Sequence, residues 1–326
     1  MKLKDFDYDL PETLIAQKPM FPRDHSKLMI ISKKIEHKKF YNILDYLKKD
    51  DVLVINETKV IPARLTGKKE TGSKAEIIIK DFKCNICRCL IKTRNPRIGL
   101  KLIFKKYDAK IIGGKDGLFD LKFNHDVKDI VENFGELPTP PYVKRKIHRD
   151  SQYQTVYSKK KGSIAAPTAG LHFTKRILEK IKRKGVKLAK VCLHVDFGTF
   201  LPVRDINKKK LHSEYFEIDK KNAEIINNRK GRLFAVGTTS VRTLESAADK
   251  GKVTAKKGKT EIFIKPGYKF KIRIDGLITN FHIPKSTLLM LVSAFIGRKK
   301  ILDCYKIAAE NKYRFFSFGD AMLILK

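Results

Sequence analysis

Acidic side chains are the first shortage in this sequence. Its 326 residues hold 35 Asp and Glu against 71 Lys and Arg, a formal net charge of +36. A surface so basic disfavours basic partners and attracts polyanions: nucleic acid, anionic membrane or acidic protein. Lys far outnumbers Arg, and compositional drift alone produces such a bias, so charge narrows the partner class without selecting a member. Long hydrophobic runs are also missing. The longest mainly apolar stretch, Leu288 to Ile296, is about half the length of a bilayer-spanning helix and reads as a buried helix. The first residues, Met1-Lys-Leu-Lys-Asp-Phe-Asp, lack an apolar h-region, so neither secretion nor a membrane anchor is expected. Cysteine is sparse and odd in number, five in all, which argues against a disulfide framework and for a reducing compartment. The expectation is a cytoplasmic monomer.

Several chemical signatures are absent too. No Gly-x-Gly-x-x-Gly opens a helix after a strand, which leaves a Rossmann dinucleotide site and an ordinary methyltransferase loop without support. No Gly-x-Ser-x-Gly nucleophile elbow occurs. Gly67-Lys-Lys-Glu-Thr-Gly72-Ser73 has P-loop character but lacks Lys after its second Gly, and no buried strand feeds it. Cys84-x-x-Cys87-x-Cys89 offers thiolates that suit zinc or iron–sulfur clusters. No fourth donor follows closely, and Cys87 and Cys89 share one face of a predicted strand. Core thiols are the reading, with no metal.

What is present organises into two domains, since 326 residues exceed one small core and 42% of them are hydrophobic. Leu28–Ile31 and the continuous apolar run Val52–Ile55 predict buried strands. From Ala75 to Phe123 short alternating strands dominate: Glu76–Ile79, Arg88–Ile91, Lys101–Phe104, Lys110–Ile112 and Leu118–Phe123. A short helix, Val127–Phe134, precedes the break Pro138-Thr-Pro-Pro141. Helix and strand then alternate: helix Thr174–Lys184, strand Val186–Val195, helix Lys220–Arg229, strand Leu233–Val236, helix Ser240–Asp249. Strands Glu261–Ile264 and Lys271–Ile274 and helices Thr287–Phe295 and Ile301–Asn311 follow. The fold expected is a layered α/β domain with a largely parallel sheet, built from residues 1–62 and 151–326, with an antiparallel β-barrel inserted at 63–150.

Polar residues concentrate in five segments of the second half: Ile164–Phe173, Leu193–Arg204, His212–Phe216, Ala235–Arg242 and Thr279–Ser286. Most lie at a strand end or before a helix, where α/β sheets bind ligands. Gly237-Thr238-Thr239-Ser240 ends an apolar strand and opens a helix, so its hydroxyls and free N–H groups make an anion site. Arg242, one turn on, can fork onto a carboxylate. The plain alternative for the bare motif is a Ser/Thr helix cap. His172, His194, His212 and His282 fall in these segments, and imidazoles suit proton transfer at neutral pH. A lone His is more often structural, and His194, beside a strand-end Val, reads that way.

With these residues in view, the chain resembles the S-adenosylmethionine:tRNA ribosyltransferase-isomerase family of queuosine biosynthesis. The matching motifs are Ala165-Ala-Pro-Thr-Ala-Gly-Leu-His-Phe173, His212-Ser-Glu-Tyr215, Val236-Gly-Thr-Thr-Ser-Val-Arg242, Thr279-Asn-Phe-His282, Met290-Leu-Val-Ser-Ala-Phe295 and Tyr313-Arg-Phe-Phe-Ser317. Leu10-Pro-Glu-x-Leu-Ile-Ala16, Val60-Ile-Pro-Ala-Arg-Leu65 and Leu137-Pro-x-Pro-Pro-Tyr142 extend the likeness through the first half. The resemblance implies transfer and isomerisation of the ribosyl moiety of S-adenosylmethionine onto 7-aminomethyl-7-deazaguanine at the wobble position of a tRNA with a GUN-type anticodon. The products are epoxyqueuosine-tRNA, adenine and methionine. S-adenosylmethionine is then a co-substrate, and no further cofactor is implied. The family fold, an α/β domain with an inserted barrel, agrees with the reading from periodicity. The competing expectation is an RNA-binding homologue that has lost catalysis.

That chemistry needs a base to take a proton from the ribose carbon beside the sulfonium, a neutral amine to attack, and partners for methionine's carboxylate. His172 or His212 is expected as the base, with Glu214 orienting it or sharing the role. Thr238, Thr239 and Arg242 are expected to hold the carboxylate or a phosphate, and Asn280 and His282 the adenine or ribose. Glu245 is a further substrate-binding candidate on the Arg242 helix, against the alternative of a solvated face. Tyr142 is expected to stack on the modified base. The basic run Lys144, Arg145 and Lys146 is a candidate RNA contact by charge alone. Departures from the family pattern are Asp196-Phe197 in place of Gly and a small or apolar residue, Lys208-Lys209-Lys210 in place of an acidic, His-containing stretch, and Phe318 in place of Tyr.

Overall fold

The Val52–Ile55 run lies at the centre of a large sheet, and its neighbours explain its unbroken hydrophobicity. The computed structural model describes every residue except Asp116, Lys146, His148 and 197–210. Among the described residues, nine strands pair in the order Lys256–Thr260, Glu214–Ile218, Lys187–Leu193, Val52–Asn56, Leu233–Val236, Gly276–Asn280, Ala321–Leu325, Lys27–Ile31, Ile35–Lys39. The run from Lys187–Leu193 through Gly276–Asn280 is parallel throughout. Lys27–Ile31 is also parallel to Ala321–Leu325. The remaining pairings are antiparallel. The sheet is therefore mixed, with a parallel centre.

Successive side chains of the central strands feed two different cores. Val52, Val54, Leu233, Ala235 and Leu277 pack into one. Leu53, Ile55, Phe234, Val236 and Ile278 pack into the other. A strand covered on both faces needs no polar side, which is why these segments read as solid apolar runs. The second face is covered by helix Lys175–Arg183 through Ile177, Leu178 and Ile181, with Thr174 Oγ1 accepting from Ile177 N at 3.2 Å as its N-cap. The first face packs helices Gly237–Ala247, Thr287–Ile296 and Arg298–Glu310. Among the described residues no helix is long and apolar enough to cross a membrane.

Two expected strands are not strands. Phe263, Ile264, Ile272 and Ile274 are buried in the core, and the alternation of Lys271–Ile274 is a true record of burial. The backbone of the second segment, however, turns to a side chain: Lys271 N and Ile272 N donate to the Glu245 carboxylate at 2.9 and 3.3 Å. The edge strand is instead Lys256–Thr260, paired with Glu214–Ile218.

By internal contacts the chain forms two compact units, Met1–Lys59 with Pro140–Lys326, and Val60–Thr139. The expected boundary at 150 moves to Thr139, because the chain after Pro140 packs on the α/β unit. Gln17 Nε2 donates to Tyr142 O at 3.0 Å, and Arg23 Nη1 to Gln154 O at 2.8 Å.

The second unit is a closed antiparallel barrel of six strands among the described residues, ordered Leu118–Phe123, Ile86–Lys92, Lys74–Lys83, Arg64–Lys69, Lys101–Phe104, Tyr107–Lys115. Leu65, Ile77, Ile79, Leu102, Ile111 and Leu121 fill it, together with Cys87 and Cys89, while Cys84 is exposed. Helix Val127–Phe134 contributes Val127, Ile130 and Val131 to the same core. Closure occurs where Lys68 and Lys69 meet Ile103 and Leu102. There Gly67 lies against the partner strand: a Cβ would sit 2.3 Å from Ile103 O and 2.6 Å from Phe104 Cδ1. The glycine-spaced segment at 67–73 is thus a barrel strand and its turn.

Gly67→Ala should force the closing strands apart and cost the barrel about 1–3 kcal/mol by overpacking. Urea unfolding followed by a barrel-specific probe measures this, and unaltered stability would show that the closing strands yield freely.

Candidate active site

The parallel strand Leu233–Val236 delivers its carboxyl end directly into helix Gly237–Ala247. Gly237 makes the junction with φ +83, where a side chain would be strained. No side chain caps this helix, so its first N–H groups stay available to an anion. Ser240 Oγ is spent on Val236 O at 2.7 Å. Thr239 Oγ1 is buried and has no partner.

Arg242, on the next turn, is 7% exposed. Its Nη1 binds Glu214 Oε2. Its Nε and Nη2 are buried without an acceptor. Glu214 Oε1 accepts from Asp196 N at 2.9 Å, so both oxygens of this buried carboxylate are engaged. Arg242 lies on the wall of two adjoining cavities. The larger, about 780 Å³ with its open mouth, is lined by Tyr142, the Ala165–Ala169 loop, Gly237–Thr239, Asn280, His282 and Ser317. The smaller, about 490 Å³ on the same basis, is lined by Leu211, His212, Glu214, Phe263 and Thr287. Leu288 also borders both.

The histidines separate by environment. His212 is exposed and lines the smaller cavity. His282 lines the larger one, shares a 2.9 Å hydrogen bond with Thr279 Oγ1 through Nε2, and is pushed down to about 3 by burial. His172 lies behind Asn280 and not on the wall of either cavity. Asn280 Nδ2 faces His172 Nε2 at 3.1 Å, Phe316 O at 3.2 Å and Asp320 O at 3.4 Å. Those two carbonyls fix the amide nitrogen on that side, so Nε2 of His172 accepts and Nδ1 carries the proton to Ser26 Oγ, 2.7 Å away. His172 also stacks on Phe40, ring centroids 5.0 Å apart. Burial pushes its imidazole down to about 4, opposed by the Asp320 carboxylate and helped by the Arg314 and Arg23 guanidiniums. The consequence for Asn280 is that its Oδ1, buried and without a partner, is left for a ligand. His194 bonds Thr58 Oγ1 at 2.7 Å, away from both cavities.

Tyr142 packs its ring on Phe316, centroids 4.8 Å apart, and its hydroxyl meets Ser317 Oγ at 2.6 Å. Burial pushes its phenol up to about 12. Glu245 is not brought to either cavity. It is fully buried and accepts from Tyr268 Oη at 2.9 Å and from the Lys271 and Ile272 N–H groups. It anchors a loop, and its helix has no solvated face at that position. Phe316, Ser317 and Leu288 also line the larger cavity; Phe316 and Ser317 belong to the Tyr313–Ser317 motif, but only their position in space marks them.

The family model described as "Queuosine biosynthesis protein" matches residues 3–324. The chain belongs to that family. An S-adenosylmethionine:tRNA ribosyltransferase-isomerase of Fusobacterium nucleatum is 51% identical over 339 aligned positions, spanning 99% of this chain and 96% of its own. One from Carboxydothermus hydrogenoformans is 50% identical and spans 100% of both chains. A crystal structure of S-adenosylmethionine tRNA ribosyltransferase from Thermotoga maritima, 38% identical, aligns with a TM-score of 0.58 over 98% of this chain and 100% of its own.

Two departures from the queuosine-family pattern have visible places. Asp196 is buried, with its N–H on Glu214. Phe318 meets Tyr153 edge-on, centroids 5.7 Å apart. Phe197, Lys208–Lys210 and Lys146 lie outside the described residues.

Glu245→Ala leaves the buried Ile272 N–H without an acceptor and removes two part-buried hydrogen bonds, from Tyr268 Oη and Lys271 N, and should cost about 2 kcal/mol; a urea midpoint equal to wild type would mean water replaces the carboxylate. His172 gives a pH signature. Its folded pKa lies below the unfolded value near about 6.5, so the folded chain binds fewer protons between the two. Stability is full above about 6.5 and falls as pH drops toward 4. In His172→Gln, the stability difference between pH 7 and pH 4 should shrink by about 3 kcal/mol, read from urea denaturation at both pH values. An undiminished difference would show an imidazole that titrates freely.

Proposed function

We propose that this chain is an S-adenosylmethionine:tRNA ribosyltransferase-isomerase. It transfers and isomerises the ribosyl moiety of S-adenosylmethionine onto 7-aminomethyl-7-deazaguanine at the wobble position of a GUN-type tRNA, giving epoxyqueuosine-tRNA, adenine and methionine. Family membership over nearly the whole chain supports the reaction. The observation that carries the site assignment is Arg242, which lines a cavity beside an uncapped helix N-terminus and keeps two buried donors without an acceptor.

In this reading Arg242, Thr238 and Thr239 hold methionine's carboxylate. Asn280 Oδ1 accepts from the adenine amino group, and neutral His282 contacts the ribose or adenine edge. Tyr142, backed by Phe316 and Ser317, meets the incoming modified base. His212 is the base that takes the proton beside the sulfonium, because it reaches a cavity as an exposed imidazole. His172 is assigned a positioning role through Asn280, since both ring nitrogens are engaged. Glu214 positions Arg242. No separate cofactor enters these steps. Five free thiols suit a reducing cytoplasm, where we place the enzyme, acting as a monomer.

Labelled S-adenosylmethionine with precursor-bearing tRNA tests the reaction. Adenine and methionine should be released, and release of S-adenosylhomocysteine would point to methyl transfer instead. His212→Ala should lower kcat by about 10²-fold or more with S-adenosylmethionine binding retained; normal turnover would remove His212 from the base role.

A further inference from the structure

Phe21 is 92% exposed, against 68% for Ile98, the next of the exposed large apolar side chains. Its loop is held firmly in place. Pro19 and Pro22 restrict the backbone on either side. Arg23 Nη1 donates to Gln154 O at 2.8 Å and Nη2 to Ser151 O. Gln17 donates to Tyr142 O at 3.0 Å and accepts from Lys144 N at 2.8 Å. The loop borders the candidate site: Ser317 lines the larger cavity and also a small pocket with Pro19, Met20 and Arg23. Phe21 itself belongs to neither lining, so it stands outside the space for the small-molecule donor.

Charge around the loop selects a partner. Lys18, Lys144 and Arg145 are exposed. The nearby ion pair, Lys144 with Glu12, is 3.7 Å long with both side chains more than three-quarters exposed, too loose to neutralise the patch. An aromatic face in water, on a loop that carries Lys18 and is joined through Gln17 to the Lys144–Arg145 segment, fits an unpaired nucleobase with its phosphates. Bases in a duplex have no free face to offer.

We propose that Phe21 is a stacking platform for an unpaired nucleobase of the RNA substrate neighbouring the reacting nucleotide, with Lys18, Lys144 and Arg145 meeting the flanking phosphates. The inference rests on the ribosyl-transfer reading for the identity of that RNA. Preorganisation of the loop spares its backbone an ordering cost on binding.

The sequence contains no Trp, so Phe21→Trp installs a sole indole reporter at a fully exposed position. Titration with a synthetic anticodon stem-loop bearing the precursor base should quench its fluorescence saturably, and a fully paired duplex of equal length should not. Phe21→Ala should raise the KM for the stem-loop about tenfold, with kcat and the KM for S-adenosylmethionine unchanged. An unquenched reporter, equal quenching by the duplex, or an unchanged stem-loop KM in Phe21→Ala overturns the proposal. Wild-type adenine release judges the ribosyl-transfer reading separately, because the quenching measures RNA contact whether or not turnover occurs.

Discussion

A guanidinium clamped by one carboxylate organises the site. Glu214 has both oxygens engaged, one by Arg242 and one by the Asp196 N–H, so Arg242 has little freedom to turn. A buried ion pair adds little net stability, because desolvation offsets the attraction. What it supplies here is position. Two donors of the same guanidinium remain buried without an acceptor, an arrangement that costs free energy until an anion arrives. In so dry a setting a charged ligand oxygen is held more strongly than at a surface.

The rest of the cavity follows the same logic of fixed polar groups backed by a second row. His172, neutral and stacked on Phe40, receives the Asn280 amide and thereby turns its oxygen toward the ligand space. Tyr305 Oη accepts from the His282 N–H at 2.8 Å, and Tyr8 donates to the His282 carbonyl. These supports restrain the Asn280 amide and the His282 backbone, a condition for electrostatic preorganisation. The parallel centre of the sheet puts the strand ends carrying Gly237 and Asn280 side by side, which is how segments remote in sequence converge.

Much of this was legible in the sequence, for physical reasons that differ by element. Val52–Ile55 and Leu233–Val236 were readable because two-sided burial removes polar residues, and the barrel strands because one-sided burial alternates them. Lys256–Thr260 was not, since an edge strand of Lys-Lys-Gly-Lys-Thr carries no apolar period. Conversely, Lys271–Ile274 alternates yet donates to Glu245, because burial sets the period whether or not a ladder forms. At the site, the strand–helix junction at Gly237 was visible from its hydroxyls and its glycine. Which histidine lines the two cavities that share Arg242 was not, because His172 and His212 differ only in tertiary surroundings. Glu245 was misjudged for the same reason: its partners lie more than twenty residues away.

The most direct test of the central role given to Arg242 is a crystal structure of the chain with S-adenosylmethionine bound. The methionine carboxylate should lie within about 3 Å of Arg242 Nε or Nη2, beside the Gly237–Thr239 N–H groups, with the Glu214 contact intact. A donor bound with its carboxylate elsewhere, and Arg242 still holding only Glu214, would contradict the account.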